Sequence, residues 1–424
     1  MIGAVPLAMT SLNLLLWIAL GVALQVALFV GIGFWQHWQD YMRLKAGLGD
    51  APLPVAPPLP EASAPGWSGY RAFRVERRVV EDQSESICSF YLVPEDRQPL
   101  PAFKPGQFLT FRLDLPATGG GNEQIVRCYS LSDAPTPDHY RVSIKRVPAP
   151  AASPHPAGRS SNHFHDQVGV GDLLQVRAPS GHFHIDRGDA PVVLVAGGIG
   201  ITPMLSMLNW ILEQQPGREV WLFYGVRNGR EAMMLRHLFG LAARHPNFQL
   251  RACFSDPLPD DRPGEDFHHR GRVDVALFRQ MLSLKPYHFY ICGPTPMLAS
   301  LVPALEDWGV PDARIHFEAF GPASIPRRRA PPEATPADNT GVVVRFARSD
   351  KQLLWTPAAG SLLDLAEANG IAVNSGCRAG GCGSCQTTIE AGEVTYMQAP
   401  DFDPEPGTCL LCVCAPKTSV TLEA

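Results

Sequence analysis

Residues 191–208 read PVVLVAGGIGITPMLSML. An apolar, valine-rich run enters a glycine turn and leaves it as an amphipathic helical pattern, the strand–turn–helix unit of a dinucleotide-binding sheet. The glycine pattern is G-x-G-x-x-P, carried by Gly198, Gly200 and Pro203, and not the G-x-G-x-x-G of the usual Rossmann fingerprint. Pro203 suits the first turn of the helix, where its missing N–H breaks no hydrogen bond. Further along, strand patterns at Val220–Gly225, Phe248–Ser255 and Tyr287–Cys292 alternate with helical stretches, and Gly293-Pro294 follows the last. That alternation predicts a doubly wound α/β sheet.

Upstream lies a second constellation. Arg127-Cys128-Tyr129-Ser130 follows the largely apolar strand Phe108–Leu113, and the pattern Tyr140–Lys145 and the loop Gly158-Arg-Ser-Ser161-Asn162 come after it. An arginine supplies fixed positive charge for a pyrophosphate, and a tyrosine ring can lie against an isoalloxazine. A serine hydroxyl can hydrogen-bond the N5 edge of a flavin. Gly158 and the amides after it suit phosphate oxygens where they open a helix. Taken alone, R-x-Y-S also fits an ordinary surface strand.

The strongest cysteine signal is C-x4-C-x2-C, formed by Cys377, Cys382 and Cys385 among glycines, with Cys409, Cys412 and Cys414 downstream. Three thiolates in so short a glycine-rich loop can wrap one face of an inorganic cluster and leave a fourth ligand to arrive from elsewhere, as in plant-type 2Fe–2S sites. Zinc sites more often show paired C-x2-C ligands, and disulfides are disfavoured if this region is cytoplasmic. The histidine pairs His163/His165, His182/His184 and His268/His269 invite a metal reading, yet no convergent ligand set accompanies them, and they read as strand and loop histidines.

Global composition hides uneven ends. The 424 residues are 45% apolar, with 36 basic against 41 acidic side chains and a net charge of −5, which excludes a strongly basic nucleic-acid binder. No Asp, Glu, Lys or Arg occurs in residues 1–39. Within that stretch 12–35, LNLLLWIALGVALQVALFVGIGFW, is broken only by Asn13 and Gln25 and is long enough to cross a bilayer as a helix. Trp35, Trp38 and Tyr41 fall where an aromatic belt would lie, and Arg43 and Lys45 favour a cytoplasmic C-terminal part. A cleaved signal peptide is the other reading, but the run is too long and lacks a basic start and a small-residue cleavage site. A single-pass membrane anchor in contact with the lipid bilayer is the expectation. Proline-rich linkers follow at 47–68 and again at 322–340.

On these residues the stretch from about Tyr70 to Gly321 resembles the ferredoxin–NADP reductase superfamily, and within it the reductase part of flavohaemoglobins: RCYSLSDAP, VSIKR, the Gly158–Asn162 loop, VAGGIGITPML, YICGPTPM and IHFEAFGP all match. Residues 341–424 resemble a plant-type ferredoxin, with Val342–Ala347 and Val420–Leu422 as strands and Leu362–Asn369 as a short helix. The module order resembles reductase components such as those of phthalate dioxygenase and phenylacetyl-CoA epoxidase. With the transmembrane helix read from hydropathy at its start, the chain is expected to be multidomain, and the resemblance implies an antiparallel flavin-binding β-barrel over 70–187, a nucleotide-binding α/β domain over 190–321 and a β-grasp ferredoxin domain over 341–424.

It further implies FAD on Arg127, Tyr129, Ser130, Lys145, Gly158, Ser161 and Asn162, with FMN, as in the phthalate type, the other choice. The nicotinamide nucleotide falls to Gly198, Gly200, Thr202, Pro203, Gly293 and Pro294. Glu318-Ala-Phe320 matches the segment that lies over the flavin, and Ser130, Cys292 and Glu318 are the hydride-site candidates. Phe108 stands where the flavohaemoglobin pattern has Tyr, so a hydroxyl contact is lost there. The Ala415-Pro416 pair selects Cys412 as the fourth cluster ligand, with Cys414 the runner-up. The function implied is electron transfer from NADH (or NADPH, if Arg227 and Arg230 meet a 2′-phosphate) through FAD and a 2Fe–2S cluster. The acceptor expected is a membrane oxygenase, desaturase or hydroxylase, and a reductase of quinone or another small acceptor is the alternative.

Overall fold

The computed structural model describes residues 66, 67, 69–116, 120–149, 156–320, 341–376, 378, 380–397, 400 and 402–424, with isolated positions between 17 and 39. Residues 63–424 form one compact unit and residues 1–62 another.

Six antiparallel strands build the first domain: β1 (Arg71–Val80), β2 (Ile87–Pro94), β3 (Phe108–Pro116), β4 (Asn122–Ser130), β5 (Tyr140–Lys145) and β6 (Leu173–Ser180), in the order β4-β3-β6-β1-β2-β5. A bridge from Leu131 to Val142 joins the two outer strands and closes the sheet into a barrel. Helix α1 (Arg159–Asp166) plugs one end through Phe164, which meets the rings of Phe90, Phe111 and Tyr129 edge-on at 5.2–5.4 Å. The aromatic plug fixes where the Gly158 loop, immediately before α1, must sit.

The second domain carries β7 (Val192–Gly197), α2 (Ile201–Gln214), β8 (Val220–Val226), α3 (Leu235–Arg244), β9 (Phe248–Phe254), β10 (His269–Arg270), α4 (Val275–Met281), β11 (His288–Gly293), α5 (Thr295–Asp307) and β12 (Ile315–Ala319). The strands pair in parallel in the order β10-β9-β8-β7-β11-β12. The chain moves out from β7 in one direction and returns to its other side at β11, so the switch point lies between them, where open α/β sheets bind ligands. Both faces are covered, and β7 is buried along its whole length. Ile87, Phe183 and Ile185 of the barrel lie in the same apolar cluster as α2, which locks the two domains together.

The third domain is a mixed sheet of β13 (Val342–Phe346), β14 (Lys351–Trp355), β15 (Gln386–Ala391), β17 (Thr408–Leu410) and β19 (Val420–Leu422) in the order β14-β13-β19-β15-β17, beside a small ladder of β16 (Val394–Tyr396) and β18 (Cys414–Pro416). The central pair β13–β19 is parallel and joins the two ends of the domain. Helix α6 (Leu362–Ala368) crosses it, opened by a capping box: Ser361 Oγ accepts from Asp364 N at 3.1 Å while Asp364 Oδ2 accepts from Ser361 N at 2.9 Å.

Of the expected membrane span at 12–35, only Trp17, Leu20, Gly21, Val22, Leu24, Gln25, Gly31 and Trp35 are among the described residues. They are helical, and the large apolar ones are exposed. Among the described residues no helix is long and apolar enough to cross a membrane. The rest of the span, and both linkers apart from residues 66 and 67, lie outside the described residues.

Candidate cofactor sites

The flavin constellation comes together on one side of the barrel. Strand β4 brings Arg127, Tyr129 and Ser130 to the edge that faces α1 and the start of β3. Tyr129 Oη hydrogen-bonds Ser160 Oγ at 2.8 Å, and burial pushes its hydroxyl up to about 12, so it stays a neutral phenol. Ser130 is buried opposite Phe108 in the ladder. Ser161 Oγ accepts from Val147 N at 3.3 Å, and Asn162 Nδ2 donates to Val147 O at 3.3 Å, which ties the Gly158 loop to the end of β5. Asn162 Oδ1 is buried without a hydrogen-bond partner among the described residues. A buried amide oxygen in that state costs free energy unless a ligand donates to it. The loop therefore fits a bound polar group.

Arg127 also reaches the third domain. Its guanidinium donates to Val126 O at 2.7 Å and to Gly376 O, in the cysteine loop of the third domain, at 3.5 Å. Arg127, Arg159 and Arg378 line a cleft of about 300 Å³ with Glu123, Asn374 and Ser375. Arg159 is paired with Glu123 and Arg378 with Glu367, which leaves Arg127 the guanidinium of this cleft outside an ion pair among the described residues, the one suited to an anionic group. Lys145 sits elsewhere: its Nζ lies 3.4 Å from Glu231, which also pairs with Arg227 at 2.5 Å, so it bridges the barrel to the nucleotide domain.

At the switch point Gly200 approaches the end of β11 so closely that a Cβ would stand 2.2 Å from Cys292 O and 2.8 Å from Gly293 N. Thr202 Oγ1 donates to Ile199 O at 3.1 Å and, like Pro203, is buried in the first turn of α2. Gly198, Gly200, Gly293 and Pro294 thus form one rim of the crevice outside β7 and β11. Cys292 is fully buried in the apolar cluster behind that rim, and burial drives its thiol far above its ordinary value. It behaves here as a small buried side chain. Glu318 stands opposite Cys292 in the β11–β12 ladder, and Phe320 follows, half exposed.

In the third domain Cys385 and Cys412 bring their sulfurs to 3.2 Å, and Cys382 is buried in the same loop. Contact with Cys412 pulls the Cys385 thiol below its ordinary value, whereas contact with Cys409 and then burial push Cys414 far above it. Two sulfurs that converge, with Cys385 shifted toward the thiolate, suit a shared metal; Cys414 faces Cys409 inside the sheet instead. Cys377 lies outside the described residues, and among those described no group of three metal-binding side chains is drawn together.

Several histidines are spoken for by backbone. His165 Nε2 meets Ile144 O at 2.9 Å, and His268 Nδ1 accepts from Ala252 N at 3.0 Å. Sequence reasoning missed the surface on which the cysteine loop rests. The Phe108 ring lies where a Cβ on Gly381 would come within 2.8 Å of it, so this glycine and aromatic are in direct contact across domains. Only the absence of the expected Tyr at 108 signalled that position.

Comparison with known proteins agrees with this division. Family models for an oxidoreductase FAD-binding domain match residues 75–185, for an oxidoreductase NAD-binding domain 194–302, and for a 2Fe-2S iron-sulfur cluster binding domain 349–417. The flavohaemoprotein of Halalkalibacterium halodurans is 38% identical over 259 residues, 61% of this chain and 61% of that protein. The chain thus spans less than two thirds of the length of such relatives. The flavohaem-like FAD/NAD binding domain of Vibrio cholerae nitric oxide dioxygenase is 30% identical, with a TM-score of 0.52, covering 60% of this chain and 100% of that one. Phthalate dioxygenase reductase, described as a modular structure for electron transfer from pyridine nucleotides to [2Fe-2S], is 27% identical, with a TM-score of 0.50, covering 84% of this chain and 98% of that one.

Proposed function

The chain belongs to the modular oxidoreductases in which FAD-binding, NAD-binding and 2Fe–2S domains follow one another in the ferredoxin–NADP reductase-like arrangement, and from that premise we propose that it draws electrons from NADH and delivers them singly to an acceptor protein. Bound FAD and 2Fe–2S supply the conversion of a hydride into single electrons. The chain's residues supply place and environment. The observation that carries the reading is the contact of the cysteine loop with the flavin strand, Gly381 on Phe108 and Gly376 O on Arg127, which supports an electron exit beside the flavin site.

In this reading Arg127, Gly158, Ser161 and Asn162 hold the phosphate-bearing part of FAD, Tyr129 and Ser130 meet its ring, and Phe320 covers it. Gly198, Gly200, Thr202, Pro203, Gly293 and Pro294 receive the nicotinamide nucleotide, with Cys292 behind the rim and Glu318 beside it. Lys145 acts through Glu231. Cys377, Cys382, Cys385 and Cys412 hold the cluster. The Arg227–Glu231 pair occupies the guanidinium nearest the end of β8, which supports NADH over a nucleotide bearing a 2′-phosphate.

The exposed Trp17, Leu20, Val22, Leu24 and Trp35 and the charge-free run around them support a single-pass anchor with the catalytic domains in the cytoplasm. An anchored reductase shares the bilayer with its acceptor, an oxygenase, desaturase or hydroxylase, and meets it at high effective concentration.

Anaerobic stopped-flow mixing with each nucleotide tests the chemistry. Flavin bleaching faster with NADH than NADPH, followed by a reduced-cluster EPR signal, is expected. The variant C412S loses that signal and keeps NADH-to-flavin transfer; loss of the signal in C414S instead would refute the ligand choice. Rapid quinone reduction by purified protein with no acceptor protein present would count against the protein-acceptor reading. Carbonate extraction of full-length protein from membranes tests the anchor, and release into the supernatant would sink it.

A further inference from the structure

The cysteine loop is seated on the barrel by a second set of contacts beyond Phe108. Arg112 and Arg177, on β3 and β6, place their guanidinium carbons 4.4 and 5.0 Å from the centre of the Tyr70 ring. The same Arg177 guanidinium lies 5.7 Å from the centre of the Phe402 ring, which belongs to the third domain. Phe402 in turn covers Gly383, between Cys382 and Cys385: a Cβ there would come within 2.6 Å of its ring. Gly383 adopts φ +71°, a conformation that favours glycine, and no larger side chain would leave room for the ring. Phe402 N also donates to Gly380 O at 2.9 Å, so the ring is carried by the cysteine loop itself. Arg177 Nε is buried and has no hydrogen-bond partner among the described residues; ring faces are what this part of the guanidinium meets.

We propose that Arg177, held between Tyr70 of the barrel and Phe402 of the ferredoxin domain, is a positioning residue that clasps the cysteine loop onto the flavin strand and so sets the rate of electron passage between the two domains. The linker that joins the domains is long and proline-rich, so contact of loop and barrel depends on surface interactions of this kind. A cation–π pair shielded from water is strong enough to decide such an equilibrium, and a cation that reads two rings from different domains is lost to both if either ring moves. Among the described residues the ring contacts of Arg177 are with Tyr70 and Phe402, away from the Gly158 loop and the nucleotide crevice, so its loss leaves hydride uptake alone.

The inference rests on the relay proposed above, and the test separates the two. Full-length holoprotein and its R177Q, R177K and F402L variants are mixed anaerobically with NADH, and flavin bleaching and cluster reduction are followed separately. R177Q is expected to keep the wild-type bleaching rate and to slow cluster reduction by about tenfold, the effect of losing one desolvated cation–π contact. R177K recovers part of that loss because an ammonium still meets the rings. F402L gives a similar loss, and the R177Q/F402L double variant loses little more than either single one, since both break one contact. Hydrogen exchange followed by mass spectrometry gives a readout independent of turnover: the peptide spanning residues 376–385 exchanges faster in R177Q and F402L than in the wild type. Unchanged cluster reduction in both variants, or equal slowing of bleaching and cluster reduction, overturns the clasp. Wild-type protein whose flavin bleaches while its cluster stays oxidised overturns the relay and the clasp with it.

Discussion

At the residue scale Gly200 shows how little room the nucleotide crevice leaves. Its φ of −61° suits any residue, so its identity is set by space alone: the carbonyl and carbonyl carbon of Cys292 would lie 2.2 and 2.5 Å from an added Cβ. These are backbone atoms in a buried parallel strand and have nowhere to yield. G200A should therefore cost about 1–3 kcal/mol of stability, the usual range for overpacking, and should depress NADH-driven flavin bleaching more than it depresses FAD content. Urea denaturation with stopped-flow bleaching checks both, and wild-type values for G200A would show that the rim is softer than the contact distances imply. The same scale separates the C-terminal cysteines. The ferredoxin resemblance implies Cys412, whose thiol lies beside Cys385, while Cys414 enters β18 and turns to Cys409. Cys412 lies in the turn ahead of β18 and Cys414 on the strand itself, so the two side chains, two positions apart, are not held to the common face that an extended segment would give them.

At the element scale the β11–β12 ladder carries a stack that the sequence did not announce. The His316 ring lies 4.5 Å from Tyr290 at an interplanar angle of 16°, and the His288 ring 5.6 Å from His316 at 8°. Burial, then the neighbouring histidine, holds His316 below the ordinary imidazole range; burial does the same to His288 against the pull of Asp186. The sign follows from proton counting. Between the lowered native values and about 6.5 the unfolded chain binds protons that the native chain refuses, so stability rises with pH through that window and falls on acidification. The urea midpoint should drop between pH 7.5 and 5.5, and H316F, which keeps an aromatic ring on Tyr290 and removes a titrating group, should flatten the drop. A steeper drop in H316F would reverse the argument. Helices and strands with a strong period, such as β7–α2 and α6, were legible because propensity, burial and turn chemistry agree locally. Strands β1, β2 and β6 were not read, since closing a barrel depends on distant partners such as Arg71 with Val176 and not on local pattern. The stacked histidines were invisible for the same reason: residues 288 and 316 meet only once the parallel ladder has formed.

At the scale of the whole molecule, each cofactor domain was legible in its motif, but the surface that joins them was not. Arg127 and Gly376 are 249 positions apart, and no pattern along the chain relates them. Charge, by contrast, can be counted, and the structure shows how it is spent. Residues 341–424 carry nine acidic and five basic side chains, a net charge of −4. Four of the bases sit in ion pairs within the domain, Arg345 with Asp350, Arg348 with Glu423, Arg378 with Glu367 and Lys417 with Glu393. The fifth, Lys351, donates to Asn369 O at 2.6 Å. Glu390, Asp403 and Glu405 remain exposed outside those pairs. Exposed ion pairs contribute little to stability, yet they confine the positive charge to local neutralisation and leave a net negative field around the electron exit. Such a field reaches about 30 Å at 0.01 M salt and about 10 Å at 0.1 M. Reduction of a cationic redox protein should therefore slow by about tenfold or more as salt is raised across that range, within the span that electrostatic steering gives to association rates. A small anionic oxidant such as ferricyanide should show the opposite trend. Steady-state rates at fixed NADH and graded sodium chloride decide the matter: a cationic acceptor reduced at the same rate across the series would place the site of electron delivery away from this acidic domain.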